Sequence, residues 1–126
     1  MEWLNEQTFV MPGTGAPSIA KMKIEFASAF TSIDQYEVMY SANTFAPRIW
    51  LKSSGNYIGQ LIFEPDGKGL PSDSQQNEQV NLHYHLEDFE NVIALLSSNQ
   101  HVSLLYNGSG GGYENGIYAG TKNVGT

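Results

Sequence analysis

The 126-residue chain contains no cysteine, so neither a disulfide framework nor a thiolate metal site is open to it, and folding must rest on an apolar core. Basic residues are scarce as well: six Lys and Arg stand against thirteen Asp and Glu, for a formal charge of -7. A field of that sign repels phosphate backbones, which argues against nucleic acid as a partner. It leaves plain solubility or an acidic face for a basic partner. No stretch approaches the run of about 18 apolar residues that spans a membrane. The opening MEWLNEQTFVMPGTGAP has neither a basic start nor an unbroken apolar segment. The expectation is a cytoplasmic protein with no signal peptide and no membrane contact.

What the chain does have is enough apolar matter for one core. Hydrophobic residues make up 40% and aromatic ones 12%, which is ordinary for a globular domain and argues against wholesale disorder despite 13 glycines. Residues 1–126 are read as a single domain, with 1–17, which end in MPGTGAP, as an N-terminal arm or edge element. Residues 21–26 alternate perfectly and predict a half-buried strand, with Met22, Ile24 and Phe26 on one face. Tyr36, Val38 and Tyr40 predict a second. Residues 48–53 and 57–64 are two β-rich runs around Ser54, Gly55 and Asn56, the composition of an antiparallel hairpin. Pro65, Asp66 and Gly67 then mark a turn, and 68–79 reads as a surface loop.

Residues 81–106, NLHYHLEDFENVIALLSSNQHVSLLY, carry the clearest folding instructions. Leu82, Tyr84 and Leu86 alternate with Asn81, His83 and His85, and the period then lengthens to Leu86, Phe89, Val92, Ile93 and Leu96, one stripe of a helix. Asp88 is placed to cap a helix spanning about 88–98. Val102, Leu104 and Tyr106 resume the alternation, and a last short strand is expected around 116–119. The fold class is α+β: a single antiparallel or mixed sheet of about six strands with one helix packed on it. The two strands of 81–106 can be parallel neighbours or not.

The run IGQLIFEPDGKGLP, followed by the strand–helix–strand and by NGSGGG, resembles small uncharacterised bacterial proteins that pair a G-x-L-x-F-x-P-D-G-x-x-L-P hairpin with a strand–helix–strand and a glycine-rich C-terminal segment. The resemblance implies a bacterial or phage origin, and it implies no activity and no functional residue.

Catalytic signatures are missing. Ser109 sits in N-G-S-G-G, which is not the G-x-S-x-G elbow, and Glu64 and Asp66 at a turn read as solvated charges. His83 and His85 share one strand face, and with Glu90 their spacing imitates part of a cupin metal motif. His101 is a further ligand only if its strand lies alongside. Residues 107–116 hold five glycines but no basic group and no following helix, so a phosphate cradle is not supported. A partner or ligand loop is, because Tyr113 and Tyr118 add aromatic surface. The binding residues expected are Asn107, Gly110, Gly111, Gly112, Tyr113 and Glu114, with Arg48 and Trp50 on a strand face as a second patch.

The leading functional expectation is a non-enzymatic, cofactor-free binding protein that recognises another protein: an immunity-type or phage-type inhibitor, or a homodimeric module. The alternatives are a small-ligand binder that uses the glycine-rich loop and its tyrosines, and a metal-dependent enzyme that uses His83 and His85.

Overall fold

A computed structural model describes residues 29–98 and 100–120. The arm at 1–17 and the strand expected at 21–26 lie outside them. The described chain is mostly β, with one short helix, and its strands form two sheets. The larger contains β2 (Gln35–Met39), β3 (Arg48–Ser53), β4 (Asn56–Glu64), β5 (Ser74–Gln76) and β6 (Gln79–His85), in the order β2-β3-β4-β6-β5. The smaller joins β1 (Phe30–Ile33), β7 (Val102–Leu105) and β8 (Gly116–Ala119), in the order β1-β7-β8. A 3-10 turn at Leu86–Asp88 leads into helix α1 (Phe89–Leu96).

The single sheet expected from the sequence is therefore two. The chain passes from β1 in one sheet to β2 in the other through Asp34, whose N–H donates to the Lys52 carbonyl at 3.0 Å and whose carboxylate accepts from the Ser54 N–H at 2.7 Å. Alternation along a strand tells which side chains are buried, and says nothing about which strand lies next to it. The parallel option for 81–106 also falls away, because β7 pairs with β1 and β8 and is no neighbour of β6. The parallel partner of β6 is β4, with Phe63 opposite Tyr84 and Gln60 opposite Asn81. The connection between them, read as surface loop, carries β5, which turns back onto β6 through Asn77 and Glu78 at φ 52° and 67°. Two successive left-handed residues give the tight turn whose twist suits a hairpin. Ser54 and Gly55 do the same between β3 and β4 at φ 52° and 83°, so Asn56 belongs to the strand and pairs with Ser53.

The core lies between the inner faces of the two sheets and α1. Ile49, Leu51, Leu61 and Phe63 have no exposure, and Leu82, Val102, Leu104 and Tyr106 join them in one cluster. Alternation in β3 and β4 produces this: every second residue is buried, and the polar ones between face outward. Helix α1 lays the expected stripe on the cluster, with Val92 and Leu96 buried and Phe89 and Ile93 packed against it. It ends where Ser97 turns both its N–H and its hydroxyl back onto the Ile93 carbonyl.

The start of the helical segment corrects the sequence reading. The Asp88 side chain makes no capping bond, and the carboxylate that meets an unpaired amide belongs to Asp66, which accepts from the Glu87 N–H at 2.8 Å. The turn residue read as merely solvated ties the β4 exit to the helix. Asp66→Ala should cost about 0.5–2 kcal/mol, as loss of a cap does, and Asp88→Ala clearly less. Urea midpoints of the two variants decide it, and the reverse order would contradict the assignment.

Candidate functional site

The 107–116 loop leaves β7 and returns as β8, and side-chain amides close its base. Asn115 accepts from the Asn107 N–H at 2.7 Å and donates to the Gly108 carbonyl at 2.9 Å, while the Asn107 amide donates to the Glu114 carbonyl. The Tyr113 ring rests on Gly108, where an added Cβ would stand 2.9 Å from the ring. At the base of this loop, asparagines supply the bonding that glycines cannot. Gly111, Gly112, Tyr113 and Glu114 remain exposed.

The same Asn115 amide reaches out of the loop and donates to Asp73 at 2.8 Å. Asp73 also accepts from the His83 N–H at 2.8 Å and lies 3.6 Å from His83 Nδ1. One carboxylate thus ties the approach to β5, the strand β6 and the glycine loop together. Burial pushes the Asp73 carboxyl up, but His83 and Asn115, together with the His83 amide, outweigh it and hold the group below its usual value of 3.8. A carboxylate with a lowered folded pKa stabilises above the unfolded pKa, and that contribution is lost as pH falls through the folded value. Asp73→Asn should therefore weaken the fold by about 1 kcal/mol at neutral pH. The difference from the wild type at neutral pH should shrink in acid, as the pH falls below the ordinary carboxylate range and through the lowered folded value. Urea titrations at neutral and acid pH test this, and an equal difference at both would contradict it.

His83 faces Asp73, not His85 or Glu90. Among the described residues no three His, Cys, Asp or Glu side chains come together as a metal site. Glu90 sits on α1, which packs on the Phe63 side of the sheet, whereas His83 alternates with the inward Leu82 and Tyr84 and faces outward. His101 precedes β7, in the other sheet.

Three concavities open among the described residues; one of about 350 Å³, lined by Ile33, Asp34, Tyr36 and Lys52 among others, lies at the junction of β1 and β2 and holds none of the residues expected to bind. Of the other two, the first is a groove of about 370 Å³ between α1 and the end of the glycine loop. Leu95, Leu105, Ile117 and Tyr118 give it apolar walls, Asp88 and Glu114 supply carboxylates, and no Lys or Arg lines it. Leu95 and Tyr118 are 38% and 49% exposed and lie together in this one lining. At its floor the Tyr84 hydroxyl meets the Ile117 backbone. Burial, then the Asp73 and Asp88 charges, push this phenol up to about 12 against the bond from Ile117. It is a neutral hydroxyl at any physiological pH.

The second is a cavity of about 290 Å³ on the outer face of the larger sheet, lined by Trp50, Tyr57, Gln60, Gln79 and Asn81 with no charged group. Trp50, Gln60 and Asn81 sit side by side across three strands. The indole N–H donates to Gln60 at 3.1 Å, and Gln60 donates to Asn81 at 2.8 Å. Arg48 stacks on the indole at 5.7 Å. Next to them Tyr57 donates to Glu37 at 2.9 Å, under Lys52 at 4.9 Å from its ring.

Of the binding residues expected from the sequence, Glu114 enters the groove, Trp50 enters the sheet-face cavity with Arg48 over its ring, and Asn107 has become a structural bond at the loop base. Gly110, Gly111, Gly112 and Tyr113 stand at the tip and line neither concavity. Leu95, Asp88 and Asn115 line the groove together with Glu114, and the sequence reading names none of the three as a site residue. Only Leu95, apolar and just off the helix stripe, left a trace that could have been found. Comparison with protein-family models, with curated proteins and with solved structures finds no match. Among the described residues no helix is long and apolar enough to cross a membrane.

Proposed function

We propose that this chain is a small non-enzymatic recognition protein whose partner is another protein, bound at the groove between α1 and β8. The observation that carries the reading is the groove itself: apolar walls left open beside a closed core, next to an exposed loop. Exposed apolar surface of this kind marks sites that are covered in a complex. An inhibitor of the immunity or phage type uses such a surface, and so does a homodimeric module. The test is to purify the chain from its source cells together with what it holds. The wild type should retain a stoichiometric protein, or a second copy of itself, that Leu95→Glu loses while its thermal midpoint stays unchanged. Retention of the same partner by Leu95→Glu would overturn the reading.

The uncharged cavity at Trp50 favours a second reading, a small-molecule binder, at the sheet face and not at the glycine loop. A neutral molecule released on denaturation of the wild type, and missing from Trp50→Ala, would support it. A molecule equally present in both would not.

A further inference from the structure

We infer that the groove between α1 and β8 is built for an arginine of the partner, presented next to an apolar residue on an exposed segment. The inference rests on the groove reading above and adds the partner's chemistry. Two carboxylates, Asp88 on the helix side and Glu114 on the loop side, open onto one apolar concavity that has no basic residue in its lining. Neither is committed to the fold: Asp88 makes no capping bond, and the bond at Glu114 uses its backbone carbonyl, not its carboxylate. Charge complementarity therefore asks for a cation, and the apolar walls ask that its stem or its neighbour be apolar.

Arginine fits these demands better than lysine. Its planar, weakly hydrated guanidinium can take a carboxylate in a two-point bond and lie on aromatic surface, and Tyr118, whose ring is tilted against Phe30 at 5.1 Å, adds such surface to the lining at 49% exposure. A compact, strongly hydrated ammonium gains less from the same walls. The chain's three described cations do not line the groove: Arg48 and Lys52 lie over the rings of Trp50 and Tyr57 on the sheet face, and Lys68 is in the turn after β4.

The test uses three labelled peptides of alternating leucine with arginine, with citrulline or with glutamate, titrated by fluorescence anisotropy. The wild type should bind the arginine peptide about tenfold more tightly than its citrulline counterpart, the effect of one charge-assisted hydrogen bond. It should bind the glutamate peptide not at all. Asp88→Asn with Glu114→Gln should erase the preference, added salt should shrink it, and Trp50→Ala should leave it intact. Equal affinity for the arginine and citrulline peptides, both lost in Leu95→Glu, would overturn the arginine proposal and leave the groove reading standing. Failure of every peptide at millimolar concentration, or affinities untouched by Leu95→Glu, would overturn both.

Discussion

Phe63→Ala should lower the stability of the fold by about 3–5 kcal/mol, the range for deleting a buried aromatic ring. Phe63 has no exposure and holds together elements that no hairpin connects. Its ring stacks on Tyr84 of the parallel neighbour at 5.5 Å and meets Phe89 of α1 edge-on at 4.9 Å. Phe89 in turn meets Tyr40 at 5.4 Å. Removing the ring leaves a hole bordered by a strand, a helix and a loop, and the parallel pair cannot close it without shifting register. Phe63→Leu, which keeps most of the volume, should cost far less. Urea unfolding of both variants checks the ranking. Equal and small losses would show that α1 is held by Val92 and Leu96 alone.

Gly59→Ala is the second large effect expected. An added Cβ would stand 2.6 Å from the Val80 carbonyl and 3.2 Å from the Val80 nitrogen on β6, and 3.3 Å from a Leu104 methyl in the facing sheet. The first two atoms are backbone of the hydrogen-bonded neighbour, so they cannot rotate away, and the sheets or the strand pair must move apart. The cost should be about 3 kcal/mol, at the upper end for forced overpacking. Shrinking Leu104 to Val in the same chain should not restore the midpoint. A full rescue would mean that the side-chain contact, and not the strand backbone, limits this position.

These two residues also show how far the sequence could be read. Phe63 is legible as buried, because Leu61 and Phe63 alternate with outward residues; Gly59 continues the same face, yet nothing in its neighbours says that another strand's backbone passes against it. The hairpin at Ser54 and Gly55, the helix stripe of 81–106 and the last strand follow from local period and turn chemistry. Which strands lie side by side does not, since the division into two sheets depends on a corner at Asp34 and on β7 crossing to the far side of the core. The site divides in the same way. Glu114, which lines the groove, is legible as a charge in an aromatic, glycine-rich loop. Asp88, on the helix side of the same groove, reads as a helix cap, because an acid at a helix start normally is one. Here Asp66, arriving from a turn 22 positions earlier, holds the nearby amide and leaves Asp88 to the groove. Asn115, flanked by Glu114 and Gly116, looks like any loop polar residue until Asp73 is brought to it from the far end of a connection.

The groove is the centre of the functional account, and backbone NMR of the isotopically labelled chain in complex with its co-purified partner tests it most directly. The account predicts that the amides of Asn91, Leu95, Glu114, Ile117 and Tyr118 shift on binding while those of Trp50, Gln60 and Asn81 stay in place. Shifts confined to β3, β4 and β6, with α1 and β8 unmoved, would contradict it and move the recognition surface to the outer face of the larger sheet.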